Sequence, residues 1–481
     1  MNSHKKVITM SKKIMALLIG TTVLTGCTNL TPYYERPALP VQAELPTGDA
    51  YKPTQNAGDK AVSQIAWNEF FQSPHLQSLI QTALDHNRDL RVAALNIEAA
   101  RAQYRIQRAD LVPHVNANAN GSIQSTPSNA LMNPLQPGRL ETYTANLAST
   151  AYELDLFGRI RSLNDNALQK YFATEEARHT TQIALIAEVA NAYLAYHADR
   201  KLLDLTQHTF QTQQESYDVI KKSFDMGIGS QLDVSQAATS VETARANHAQ
   251  YLRRLAQDKN ALTLLVGSTV DDKTLNVESL DDIKMMQDLP IGLASDILLQ
   301  RPDIRQAEYQ LKAANANIGA ARAAFFPRIS LTASAGLASN ELADLFKSGS
   351  AWAWNLAPQL TVPIFQGGRN EANLEFAKTN QKIAVAQYEK SIQSAFREVS
   401  DELAARGTYT DQLNAQKSLV AASQQSYDLS MARYKAGVDS HLTVLDSQRA
   451  LYNAQQNEIA VQLQRMSNLV GLYKALGGGQ R

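Results

Sequence analysis

Few residues of this 481-residue chain have the type and spacing to do chemistry. One is Cys27, the single cysteine, which excludes an internal disulfide and a cysteine-based metal cluster. It follows Leu24, Thr25 and Gly26, at the end of a leader with Lys5, Lys6, Lys12 and Lys13 ahead of an apolar run from Ile14 to Leu24. That run falls short of the ~20 residues needed to span a bilayer. Small residues before such a cysteine form a lipoprotein box: the thiol takes S-diacylglycerol, the leader is cut, and the freed amine takes an N-palmitoyl chain. Each buried CH₂ of those chains contributes ~0.8 kcal/mol to anchoring. An ordinary secretory leader with an incidental cysteine is the plainer alternative.

A second group is Leu442, Asp446 and Arg449. Spacings of four and three put them on one face of a helix, apart from the line through Leu445. By spacing alone they form either a surface ion pair contributing a few tenths of a kcal/mol or a charged stripe facing an aqueous space. Catalysis finds no footing elsewhere. The nine histidines show no HExxH pattern, and Gly367–Gly368 lacks the lysine spacing of a phosphate loop. No catalytic residue and no metal site are expected. With 46 basic and 46 acidic residues there is no electrostatic footprint for nucleic acid.

The elements that position these residues are written twice. Asp89, Leu90, Arg91, Ala93, Ala99, Ala100, Ala102, Arg108 and Ala109 return as Asp303, Ile304, Arg305, Ala307, Ala313, Ala314, Ala316, Arg322 and Ala323. Further on, Tyr217, Gly227, Leu232, Val234, Leu262 and Gly267 return as Tyr427, Gly437, Leu442, Val444, Leu472 and Gly477. The register, a little over 200 residues, is far longer than a solenoid unit of roughly 20 to 50, so the duplication is of a half-structure.

After Pro113 and Pro327 each copy turns to period two. Val115, Ala117, Ala119, Gly121 and Ile123 alternate with polar residues, as do Ile329, Leu331, Ala333, Ala335 and Leu337. Return strands carry Tyr143, Ala145 and Leu147 in one copy, and Trp352, Trp354, Leu356, Leu360, Val362 and Ile364 in the other. A half-buried sheet in a soluble domain would alternate similarly. The nearly uncharged polar faces and the tryptophans near a strand end favour a membrane barrel. Strands of ~10 residues at ~3.3 Å each, tilted ~45°, cover the ~25 Å apolar band of an outer membrane. Four strands cannot close a barrel, whose known minimum is ~8, so a spanning protein must be an oligomer.

Helices fill the rest. From Arg159 to about Asp225 there is no proline or glycine, and from Asn370 to Lys435 the only exception is Gly407. At ~1.5 Å per residue each gives a rod of roughly 100 Å. Val189, Tyr196, Leu203, Phe210, Tyr217 and Phe224 keep a seven-residue beat, as do Val399, Leu413, Val420, Tyr427 and Tyr434, with Arg406 breaking the second line. Each rod ends at a glycine turn and returns through a second helix. A tethered coiled-coil scaffold would share these seams; it would have no use for two uncharged amphipathic strand pairs.

The motif Pro363, Ile364, Phe365, Gln366, Gly367, Gly368, Arg369, the run Tyr434 to Val438 followed by Leu442 to Arg449, and the ending Leu472 to Gly479 sit on this duplicated order. Together they resemble the outer-membrane factors of tripartite efflux and secretion systems, of the TolC and OprM type. The box at Cys27 resembles the OprM branch, the NodT-like outer-membrane lipoproteins that serve RND multidrug efflux pumps. The resemblance implies an α+β membrane protein: a homotrimer whose four strands per protomer make a twelve-stranded β-barrel, continued by a long α-helical barrel, with a mixed equatorial region and an internal two-fold repeat.

It further implies a passive duct for drugs and other small toxic compounds, fed by an inner-membrane RND-type transporter and a periplasmic adaptor (membrane fusion) protein. The helical part would lie in the periplasm. By the same resemblance Gly227, Ile228, Gly437 and Val438 would face the adaptor, and Leu442, Asp446 and Arg449 would line a periplasmic gate, with Gln236 the first-copy counterpart of Asp446. No cofactor is implied beyond the lipid on Cys27; the further partner is outer-membrane lipid. Protein secretion by the type I route is the alternative cargo. The expected organisation is a signal peptide 1–26, a Pro-rich lipidated strap 27–66, N-terminal helices 67–111, β-hairpin 112–157, helical hairpin 158–267 and an equatorial linker 268–300. The second copy follows with a helix 301–325, β-hairpin 326–365, helical hairpin 366–476 and a tail 477–481.

Overall fold

A computed structural model of the chain describes residues 28–51, 61–125, 139–275, 279–290, 295–347 and 351–480. The signal peptide, Cys27 and most of the loop between the first two strands lie outside them. Among the described residues are seven helices longer than ten residues and four strands. They are α1 (Pro74–His86), α2 (Arg88–Ala109), β1 (Asn116–Ser125), β2 (Arg139–Leu154), α3 (Arg159–Asp225) and α4 (Gln231–Val266), then α5 (Pro302–Ala323), β3 (Arg328–Ser339), β4 (Ala351–Thr361), α6 (Arg369–Lys435) and α7 (His441–Ala475). The duplication is exact in its largest parts: α3 and α6 each have 67 residues, and α2 and α5 each have 22. Gly407 does not interrupt α6. A lone helix glycine costs ~1 kcal/mol, which 67 residues absorb. Arg406 beside it leaves the heptad line to donate from Nη2 to the Gln287 carbonyl at 3.1 Å.

The chain divides into two compact units. The first, made of residues up to 37, 97–173 and 307–387, holds the strands. Both hairpins join one antiparallel sheet of order β1-β2-β3-β4. Its register puts like rows together: Ala117, Leu147, Ala335 and Trp354 stand side by side across the four strands, as do Ala119, Ala145, Leu337 and Trp352. The neighbouring row is Asn118, Asn146, Gly336 and Ala353. Between Ser149 and Tyr152 the β2–β3 register shifts, with Ala151 at a φ of 54° and its N–H donating to Thr332 Oγ1 at 3.1 Å. This bulge moves the apolar row of β2 from odd to even positions, so that Tyr152 and Leu154 pair with Leu331 and Ile329. Plain period two, as read from the sequence, carries no sign of that shift.

Strands β1 and β4 each leave one long edge unpaired within the chain. All of β4 is exposed, Trp352 at 68% and Trp354 at 71%. An uncovered apolar face with two open edges would aggregate in water. In the same unit, residues 28–37 have no regular structure and run as a strap. The Leu30 carbonyl accepts from Arg322 and the Pro32 carbonyl from Asn315, at 3.2 and 2.9 Å, while Arg36 grips Glu308 at 3.0 Å. Gly319 allows the strap its close approach, because a Cβ there would stand 2.2 Å from Thr31 Oγ1.

The second unit, residues 38–96, 174–306 and 388–481, holds the deepest core. Val189, Tyr193, Leu194, Tyr388, Ile392, Val399 and Leu472 are essentially inaccessible, and each such side chain contributes roughly 1.5–3 kcal/mol by burial. Phe70 stacks on Tyr473 at 4.1 Å, and the Tyr473 hydroxyl donates to the Ile65 carbonyl at 2.7 Å. Arg301 joins Asp303, Glu398 and the Ala475 carbonyl at 2.7, 2.9 and 2.6 Å, tying the start of α5 to α6 and to the end of α7. Burial disfavours that guanidinium's charge, but its two carboxylate partners outweigh burial and raise its pKa. No helix among the described residues is long and apolar enough to cross a membrane.

Candidate functional site: the helical tips and the stripe beside them

The turn from α3 to α4 closes on Gly227, whose φ of 77° is left-handed and which has open space where a Cβ would be. Gly227 N–H donates to the Phe224 carbonyl at 2.8 Å and Ile228 N–H to the Ser223 carbonyl at 3.0 Å, consuming carbonyls the helix end would otherwise leave unpaired. Helix α4 then starts with a capping box: Asp233 N–H donates to Ser230 Oγ, and Ser230 N–H to Asp233 Oδ2, both at 3.2 Å. Hydrogen bonds from the Ser230 hydroxyl and amide hold the Asp233 carboxyl below its usual range.

The second tip repeats the turn with different fastening. Gly437, at a φ of 74°, donates to the Tyr434 carbonyl at 2.9 Å, and Val438 to that of Arg433 at 3.0 Å. Here no side chain caps the helix start; an ion pair, Arg433 Nη2 to Asp439 Oδ1 at 3.0 Å, ties the end of α6 to the turn instead, and it depresses Asp439. Ile228 is 79% exposed and Val438 62%. Each tip thus presents a bare aliphatic side chain on a hydrogen-bonded glycine turn.

Helix α7 leaves the second tip with its faces sorted. Val444, Leu445, Gln448 and Leu451 are buried, while Leu442, Asp446 and Arg449 are exposed. Arg449 Nη2 donates to Asp446 Oδ1 within the helix. The structure therefore brings the three stripe residues onto one open face, separate from the packed seam. Gln236 of α4 shares a cleft with Leu442 and Arg449. Cys27 lies outside the described residues.

Two side chains near the tips escaped the sequence reading. His441, the first residue of α7, is buried; Ser216 Oγ of α3 lies 3.0 Å from its Nε2, and its ring meets Tyr434 edge-on at 5.0 Å. Burial lowers its pKa, against a raising effect of Asp233. A histidine just after a Gly-Val-Asp-Ser turn was the available signal. The other is Gln213 of α3, 5% exposed, and nothing in its sequence neighbourhood marks it. Among the described residues no group of three or more His, Cys, Asp and Glu side chains could hold a metal ion.

The sequence profile described as "Outer membrane efflux protein" matches residues 79–268 and 293–478. The "Probable efflux pump outer membrane protein TtgC" of Pseudomonas putida is 51% identical over 470 residues, covering 98% of this chain and 96% of the relative. The "Outer membrane protein OprJ" of Pseudomonas aeruginosa is 45% identical, with 97% and 95% covered. Among solved structures, a membrane protein from Pseudomonas aeruginosa superposes with a TM-score of 0.87 at 43% identity, covering 94% of this chain and all of that one. The open state of the Neisseria gonorrhoeae MtrE outer membrane channel gives 0.84 at 39%, with 94% and 99% covered.

Proposed function

The chain belongs to the outer membrane efflux protein family, as an outer-membrane channel and not an enzyme, and from that premise we propose that three copies form a passive, gated duct for small toxic compounds. The observation that carries this is the sheet. Four antiparallel strands, the outer two largely exposed, the inner two half-buried and both edges unpaired, are one part of a closed barrel; closure alone removes edges, and a bilayer requires it. Relatives are named for efflux of antibiotics and toluene, which supports a cargo of small organic molecules. A periplasmic adaptor would seat against the tips at Gly227, Ile228, Gly437 and Val438, and an RND-type transporter of the inner membrane would drive the flow. Acyl chains on Cys27 would anchor each protomer beside the barrel.

In this reading Leu442, Asp446 and Arg449 form the periplasmic gate. Three Asp446 carboxylates ~6 Å apart would repel by roughly 0.7 kcal/mol per pair even at the dielectric of water. Arg449, already paired with Asp446 within the protomer, supplies the compensation. Arg449→Glu should therefore make the resting duct leaky, and Leu442→Ser should widen it by removing an apolar constriction. Asp446→Ala with Arg449→Ala should lose less closure than Arg449→Glu, because no unpaired charge remains. Conductance of purified trimers in planar bilayers reads all three. Unchanged conductance in every variant, with trimers intact, would return the pair to a surface contact. Deletion of the gene, tested against a panel of unrelated toxic compounds, checks the cargo class.

A further inference from the structure

Partway along the first helical hairpin two acids face each other. Asp199 lies 26 residues before the end of α3 and Asp258 27 residues after the start of α4. The returning helix therefore brings them level, roughly 40 Å from the turn at ~1.5 Å per residue, and their carboxyl groups share a hydrogen bond. Two ionised carboxylates only accept, so that bond needs a proton. We propose that the pair is a proton-operated clasp, which holds α3 to α4 while one proton is shared and slackens when the proton leaves.

Both side chains are half-buried, and Asp258 Oδ2 is inaccessible with no hydrogen-bond partner. A carboxylate taken from water is costly, and a second charge beside it adds repulsion. Burial, the Asp199 charge and the bond to Asp199 push Asp258 up to about 6, and burial raises Asp199 as well. Arg254, one turn before Asp258 on α4, favours the charged form of both. Its guanidinium stands 5.5 Å over the Tyr251 ring, whose hydroxyl accepts from Gln456 of α7 at 3.1 Å. The other titratable neighbours are Tyr196 and Arg200 on α3, Tyr251 and the Lys259–Asp272 ion pair at 2.6 Å beside α4, and Tyr452 on α7. Burial raises Tyr196 and Tyr251, away from the range in which the aspartates titrate.

Folded Asp258 keeps its proton well above the ordinary 3.8, so the folded state binds more protons than the opened one. The clasp's contribution is complete below pH 3.8 and is lost as the pH rises through about 6. At pH 7.5 Arg254 alone stands beside two negative charges, and the stiffness of the α3–α4 shaft follows the pH around it.

The test is hydrogen exchange of full-length trimers in detergent from pH 5 to 7.5, with rates corrected for the intrinsic pH dependence of exchange. Amides around Asp199 and Asp258 should lose about tenfold in protection across that range, the factor set by a folded value of about 6. Asp258→Asn, whose amide donates at every pH, should keep its acid-level protection throughout; Asp199→Asn, which offers the same donor from α3, should do likewise. Arg254→Gln should move the fall in protection to higher pH, a shift that lost packing alone does not produce. A flat profile in the unmodified protein, a fall that survives in the asparagine variants, or a midpoint unmoved or lowered in Arg254→Gln would each overturn the proposal. The unmodified profile needs no substitution, so a variant that fails to assemble does not blunt it. Exchange is measured without conduction, which separates its failure from that of the duct reading.

Discussion

At His441 four helices meet on one side chain. Its Nε2 faces Ser216 of α3, its ring packs against Tyr434 of α6, Asp233 of α4 lies within electrostatic reach, and it begins α7 itself. Nδ1 is buried with no hydrogen-bond partner, so a second proton on the ring would have nothing to donate to. The folded pKa lies below the ordinary 6.5, and the unfolded or opened state therefore binds more protons. The contribution of this packing is complete above pH 6.5 and is lost as the pH falls below it toward the depressed folded value. Backbone amides of the tips should lose hydrogen-exchange protection between pH 7.5 and 5.5, while those around Val189 and Val399 do not. In His441→Gln, an uncharged donor and acceptor of similar reach, that pH dependence should vanish. Equal acid sensitivity in the variant would assign it to other groups.

Among the elements, the strands carry the sharpest expectation, because neighbouring residues face opposite solvents. Leu331 pairs with Pro358 and Tyr152 in the apolar row, while Ser330 pairs with Gln359 and Glu153 in the polar one. Leu331→Arg should cost ~2–4 kcal/mol near mid-bilayer, and Ser330→Arg should be tolerated in a watery lumen. The yield of heat-modifiable trimer on unheated gels measures both. Equal loss from the two would remove the assignment of faces. The bulge at Ala151 makes a related point within β2: Leu147 and Tyr152 share the apolar row though one is odd and the other even. A parity rule applied through the whole strand would place Tyr152 in the lumen.

For the whole molecule the question is what pairs with the edges of β1 and β4. Both edges run antiparallel to each other by the order of the sheet, so β1 of one protomer can zip onto β4 of the next. Cysteines introduced one each into β1 and β4, in a Cys27→Ser background, should form disulfides only between protomers and only in assembled trimers. The background itself should still assemble, since twelve strands bury far more apolar surface than the acyl chains do. A ladder ending at trimer after mild oxidation is the expected result. Monomers with intramolecular bridges would mean the sheet closes some other way.

The sequence by itself determined what depends on neighbours along the chain. Helix length follows from the absence of proline and glycine, and α3 and α6 span the uninterrupted stretches, with Gly407 too isolated to break the second. Turn glycines at 227 and 437 follow from a left-handed φ that other residues resist. The shared face of Leu442, Asp446 and Arg449 follows from helical periodicity alone. Family membership too was legible, because it rests on local motifs. Only the tertiary structure decided what depends on residues far apart in sequence. The joining of two hairpins into one sheet, the register shift at Ser149–Tyr152, the burial of His441 among four helices and the unmet acceptor of Gln213 are of that kind. Local sequence sets which faces a segment can present; long-range packing sets which of them is covered, and that is what gives a lone histidine or glutamine its chemistry.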